Sequence, residues 1–262
     1  MAYVLKIKGV IVCFCTAVLI SALAFSAYYS GAYAVWFGAS SRRLPVYSVE
    51  TEEKCVALSF DCAWGTEHTD AILAALDREG VTATWFMVQF WTEKYPEYVK
   101  KIDAAGHEIG THSATHSYMS RLTPSQISSE LSSSSKAVTA VTGKTVELFR
   151  PPYGDYNDAL IQTAEECGLY TIQWDTDSLD WKDLSANDIA MRVINGVRPG
   201  SIILMHNNGL HTAESLPLII STLKNRGYTF KPIGAMIYRG EYTIDSQGRQ
   251  HSAQKAAAFY GM

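Results

Sequence analysis

The chain has 262 residues, of which 47% are apolar and 18% charged, and it carries a net charge of -4. This composition excludes a disordered chain and leaves enough apolar material for one large domain or two small ones. The acidic balance, without any Lys/Arg cluster, argues against nucleic acid as a partner.

From Gly9 to Ser41 there is no charged residue, and the centre of that stretch, VIVCFCTAVLISALAF, is almost wholly apolar. About 20 apolar residues span a bilayer, whereas a signal-peptide core holds roughly 7–15, so length favours an uncleaved N-terminal anchor. Ala32-Tyr33-Ala34 has the form of a small-x-small cleavage site and keeps secretion as the second reading. Lys6 and Lys8 favour a cytoplasmic N-terminus, with the remainder outside the membrane. The expected organisation is an anchor or signal segment over 1–36, a polar linker over 37–53, a folded domain over 54–238 and a weakly patterned tail over 239–262. Cys55, Cys62 and Cys167 are odd in number and unevenly spaced, so no disulfide framework is expected.

Short apolar runs then alternate with helical patterns. Strands are predicted at Cys55 to Asp61, Ala83 to Val88, His107 to His112, Glu147 to Arg150, Leu169 to Trp174, Ser201 to His206 and Tyr228 to Pro232. Helices are predicted at Thr69 to Glu79, around Tyr98 to Ala105, and at Tyr156 to Cys167, Ala186 to Val197 and Thr212 to Asn225. The segment Thr123 to Val141 is serine-rich enough to suggest a linker. However, Thr123-Pro124-Ser125-Gln126 is a capping box with proline at the first helical position. Ile127, Leu131 and Val138 share one face, so the segment reads as a helix closed by Gly143. Seven strands alternating with helices predict a parallel α/β fold, a distorted barrel.

Polar residues cluster where strands end: Asp61, His112, Arg150, Asp175 and His206. Carboxyl ends of such strands are where active sites form. His112 and His116 stand four apart, and if the chain turns helically there, their imidazoles can grip one divalent ion, zinc above all. Asp61 is a general base, a metal ligand or a cap on the next turn. Arg150 is followed by Pro151-Pro152-Tyr153-Gly154, a rigid groove wall. His206 ends an apolar run, and Asp180-Trp181 sets a carboxylate beside a large aromatic. Asp175, Asp177 and Asp180 lack the spacing of a calcium loop, and no nucleophile elbow is present.

Five motifs in order are similar to the polysaccharide deacetylases with a NodB-type domain, carbohydrate esterase family 4. They are Ser59-Phe60-Asp61-Cys62, His112-Ser113-Ala114-Thr115-His116, Arg150-Pro151-Pro152-Tyr153-Gly154, Asp177-Ser178-Leu179-Asp180-Trp181 and Ile203-Leu204-Met205-His206. The resemblance covers about Lys54 to Pro232. It implies metal-dependent hydrolysis of an N-acetyl group on an amino sugar of a cell-wall glycan, most readily peptidoglycan.

By the same resemblance, Asp61 is the base and His206 the acid, with Arg150 and Asp180 as their respective partners. The backbone N–H of Tyr153 stabilises the oxyanion, and Trp181 and Leu204 line the acetyl pocket along the wall formed by Pro151 and Pro152. His112 and His116 hold the metal. The family usually has a second aspartate after the base as third ligand, and this chain has Cys62 there, a residue whose thiolate binds zinc well. Phe60-Asp61-x-x-Trp64-Gly65 resembles a subgroup of spore-forming bacteria that often lacks that aspartate. The competing expectation is a glycan-binding protein that keeps the fold without the catalysis.

Overall fold

The computed structural model of the chain describes residues 14, 16–26 and 42–253. The chain divides into two units, Met1–Arg42 and Arg43–Met262. In the first, residues 16–26 are helical. Most of the expected membrane segment lies outside the described residues. Among those described, no helix is long and apolar enough to cross a membrane.

In the second unit the strands are β1 (Ser48–Val49), β2 (Cys55–Cys62), β3 (Thr84–Met87), β4 (Glu108–Thr111), β5 (Leu148–Phe149), β6 (Tyr170–Thr171), β7 (Thr176–Asp177), β8 (Ile202–His206), β9 (Thr229–Phe230), β10 (Tyr242–Ile244) and β11 (Arg249–Ser252). The helices are α1 (Thr69–Arg78), α2 (Gln89–Lys94), α3 (Pro96–Ala104), α4 (Pro124–Thr142), α5 (Asp158–Glu166), α6 (Ala186–Gly196), α7 (Thr212–Asn225) and α8 (Ile233–Met236). The main sheet runs β6-β5-β4-β3-β2-β8-β7, with β9 beside the start of β2, and every pair in it is parallel. Its two end strands do not pair with each other among the described residues, so it is an open α/β half-barrel of seven strands.

Strand β2 is buried along its whole length, and its side chains alternate between two cores. Val56, Leu58, Phe60 and Cys62 face an apolar layer shared with Ile72 and Leu76 of α1 and Leu216 and Ile220 of α7. Cys55 and Ala57 face the other side, with Phe86, Leu148 and Ile202. Ser59 and Asp61 continue that second face toward the strand's carboxyl end.

Helix α4 bears out the capping argument. The Thr123 side chain accepts from the Gln126 backbone N–H and the Gln126 side chain accepts from that of Thr123, worth about 1 kcal/mol. Gly143 closes it at φ 71°, and Ile127, Leu131 and Val138 are buried against Phe149 and Leu160. The serines of this helix lie largely off that face, which is why a serine run does not break it.

Two expectations about the ends are corrected. The stretch read as a polar linker is built in: Val46 bridges Ile172 beyond β6, Ser48 bridges Ser201 before β8, and Val46 and Val49 are buried. The stretch read as a loose tail supplies β10 and β11, an antiparallel pair whose β11 joins β1 in parallel. Buried Gln250 holds this pair by accepting from the Tyr238 N–H and donating to the Tyr238 carbonyl. Single polar residues that pair across long sequence distances leave no periodic signal.

Candidate active site

Register brings the two ends of the chemistry together. β2 and β8 pair with Asp61 opposite His206, at the carboxyl ends of both strands. Arg150, directly after β5, is fully buried and reaches across the interior. One of its amino groups donates to Asp61 Oδ1 at 2.8 Å, and the other donates to Ser59 Oγ at 2.8 Å and the Gln173 carbonyl at 3.2 Å. The guanidinium lies over the Phe86 ring, 4.2 Å from its centroid. Burial by itself would raise the Asp61 carboxyl. The Arg150 charge, with smaller help from His112 and His206, outweighs burial and holds the carboxyl below its ordinary range. Asp61 is therefore held as a carboxylate in a fixed position.

His206 has the complementary arrangement. Its Nδ1 lies 2.8 Å from Asp180 Oδ1, and its backbone N–H donates to Asp180 Oδ2 at 2.8 Å. Thr212 Oγ1 at the start of α7 donates to the same oxygen at 2.6 Å. Burial would lower the imidazole, but the hydrogen bond and charge of buried Asp180 prevail and raise it above its ordinary value. The environments thus push a carboxylate down and an imidazole up. Gly209 leaves room for this: a Cβ there would meet Thr212 Oγ1 at 2.2 Å and Asp180 Oδ2 at 3.1 Å.

His112 is buried directly after β4, with Nδ1 2.7 Å from the Arg150 carbonyl and Nε2 3.5 Å from Asp61 Oδ2. A carbonyl can only accept, so Nδ1 carries the proton and Nε2 presents its lone pair. His116 stands beside it with ring centroids 5.0 Å apart. The expectation of a helical turn is corrected. The loop is irregular, with Ser113 at φ 72° and His116 at φ 57°, both left-handed. Glu130 of α4 clamps it by accepting from the backbone N–H groups of Ala114 and Thr115 and from Thr115 Oγ1, each at 2.9 Å. Ser113 Oγ accepts from the His116 N–H at 3.0 Å. Burial pushes the His116 imidazole down to about 4, and its Nδ1 is buried without a hydrogen-bond partner.

The wall after β5 forms as expected. Pro151 and Pro152 are buried, and Tyr153 is left-handed at φ 59° with its ring exposed. That ring stacks on Tyr118 and meets His116 edge-on, with centroids 4.6 Å apart. Trp64 meets His116 from a loop tied down by Asn207 and Trp91, which both donate to the Gly65 carbonyl. Trp181 is exposed next to Asp180, and Leu204 is buried two residues before His206 on the same face of β8.

Ser59, Glu130, Thr212, Gly209 and Tyr118 complete the arrangement without having been singled out from the sequence. Ser59 alone left a trace there, two residues before Asp61 on the same face of a strand.

Residues 48–172 match the polysaccharide deacetylase family. The peptidoglycan-N-acetylmuramic acid deacetylase PdaA of Bacillus subtilis is 32% identical over 204 residues, covering 76% of this chain and 78% of that protein. The chain belongs to the polysaccharide deacetylase family.

The peptidoglycan-N-acetylglucosamine deacetylase PgdA of Listeria monocytogenes is 34% identical over 74% of this chain, which spans only 41% of that relative's length. Among solved structures, BA3943 of Bacillus anthracis, described as a family 4 pseudoenzyme, superposes with a TM-score of 0.71 at 33% identity, covering 73% of this chain and 68% of that one.

The divalent metal that the resemblance implies can be tested against the donors. The neutral His112 Nε2 and the orphaned, buried His116 Nδ1 are two suitable nitrogens. The third expected donor, Cys62, is corrected. Strand β2 continues through it, and alternation turns its side chain away from Asp61 into the apolar layer against α1 and α7. Its thiol is fully buried, points to the Phe60 carbonyl at 4.0 Å, and burial raises it well above its ordinary value, which disfavours the thiolate. Among the described residues, no group of three His, Cys, Asp or Glu side chains is arranged to hold a metal. Two imidazoles fall short of the three protein ligands of a catalytic zinc site.

Proposed function

We propose that this polysaccharide deacetylase-family protein is a hydrolase that removes N-acetyl groups from amino sugars of cell-wall peptidoglycan. The observation that carries the reading is the β2–β8 register that sets Asp61, held ionised by Arg150, beside His206, whose imidazole Asp180 raises above its ordinary value. Asp61 takes a proton from the attacking water, and His206 returns one to the nitrogen as the C–N bond breaks, because an amine leaves poorly unless protonated. The Tyr153 backbone N–H is suited to the oxyanion that forms between these steps. Trp181 and Leu204 are placed to enclose the acetyl methyl. The activities printed for PdaA and PgdA support the substrate class.

A second reading, a catalytically impaired protein that binds the same glycan, is favoured by the inward-facing Cys62 and by the likeness to the BA3943 pseudoenzyme. Acetate release from purified peptidoglycan and from chitin oligomers by the purified chain, with and without added zinc or cobalt, separates the two. Release that depends on intact Asp61 establishes the hydrolase. Binding without release under every metal condition establishes the alternative. On either reading the N-terminal segment anchors the domain outside the cytoplasm.

A further inference from the structure

The rim around the acid–base pair is aromatic and basic. In the loop after β4, the Tyr118 ring lies parallel to Tyr153 with centroids 4.3 Å apart and planes 16° apart. The Arg121 guanidinium lies over the same Tyr118 ring, 4.7 Å from its centroid. Two groups at these distances must occupy opposite faces, so Tyr118 has no open face left for a sugar. What this flank presents is the guanidinium that covers the ring. After β7, Lys182 Nζ sits 4.9 Å from the exposed Trp181 ring. The strand order β4-β3-β2-β8-β7 places these two cation–aromatic pairs on either side of Asp61 and His206.

Both cations are exposed, and among the described residues neither makes a hydrogen bond or ion pair. Arginines elsewhere are spent: Arg43 on Glu165, Arg198 on Asp175, Arg239 on Glu147, and Arg192 on the Asp177 carbonyl. Asp155, whose carboxylate ties down this loop, accepts from Ser120 N and Oγ. A guanidinium stacked on a ring keeps its N–H fork pre-oriented, the geometry that receives a carboxylate through two bonds.

We propose that Arg121, with Lys182 across the site, receives a carboxylate borne by the substrate, so that the groove takes an acidic N-acetylated amino-sugar polymer in preference to a neutral one. The inference rests on the glycan reading above, catalytic or not, and narrows it to sugars that carry a carboxyl-bearing substituent near the N-acetyl group. A neutral polymer of N-acetylglucosamine would use neither cation.

The test is a titration of the full chain with peptide-free peptidoglycan oligomers whose lactyl carboxylates are free, and with the same oligomers amidated to neutrality. The wild type should bind the carboxylated form more tightly. Arg121→Gln should narrow that preference roughly two- to five-fold, the worth of one exposed ion pair. Arg121→Lys should restore part of it, Lys182→Gln should narrow it independently, and about 0.5 M salt should erase it. Equal affinity of the wild type for both oligomers overturns the proposal, as does an equal loss on both in Arg121→Gln, which would make Arg121 a prop for Tyr118. If neither oligomer binds or is hydrolysed, the glycan reading itself falls and takes this inference with it.

Discussion

Removing Arg150 while keeping its bulk, as in Arg150→Met, isolates what holds the centre of the site. Arg150 is 0% exposed and Asp61 7%, so the variant leaves a buried carboxylate without its countercharge, while Ser59 Oγ keeps only its bond to the Ile203 carbonyl. Breaking a buried pair by deleting one partner costs about 3–5 kcal/mol. For a domain of this size that lowers the melting temperature by roughly 6–20 °C.

The pH dependence gives a sharper reading. In the wild type the folded Asp61 carboxyl lies below its ordinary value of 3.8. Its contribution is therefore present above that value and lost as pH falls through the folded one. In the variant, burial, the largest single influence on Asp61, meets only the smaller opposition of His112 and His206, and the folded value should rise above the unfolded one. Acidification from pH 7 toward 5 then protonates it and recovers stability. Thermal melts of both proteins at pH 7 and pH 5 should show the gap closing on the acid side. Arg150→Met/Asp61→Leu, which removes both charges, should regain most of the loss. A loss under about 1 kcal/mol, or a gap that does not change with pH, refutes the ion-pair account.

Asp61→Asn and His206→Ala should each lower acetate release by about 10²–10⁴-fold in protein that circular dichroism shows to be folded, since base and acid are separate groups. The alkaline limb of the rate profile should report His206, raised by Asp180, and Asp180→Asn should move it to lower pH; an unmoved limb removes the pair from the acid role. Cobalt added to the protein should give no thiolate charge-transfer band, and Cys62→Ala should bind metal as the wild type does, because the thiol faces the apolar layer; a strong near-ultraviolet band would show that the end of β2 rearranges. Mass measurement of the mature chain from membranes should find residues 1–36 retained, and a product beginning near Val35 would show cleavage instead.

The fold and the convergence of Asp61, Arg150 and His206 were legible because strong signals agreed. Strand β2 is an unbroken apolar run, Thr123 and Gln126 form a capping box before a periodic face, and Asp61, Arg150 and His206 each end such a run. The hidden parts depend on single contacts between distant residues: Val46 on Ile172, Gln250 on Tyr238, and Glu130 on the loop between His112 and His116. The spacing of those histidines suggested a helical bite, yet two left-handed residues and one carboxylate clamp produce the same proximity. Cys62 is the instructive case. Ending the strand at Asp61 leaves the next side chain free to turn toward the pocket. Extending it by one residue commits that side chain to the opposite face, since a strand alternates with a period of two. A one-residue boundary, the least legible feature of any strand, thus separates a three-donor metal site from two imidazoles.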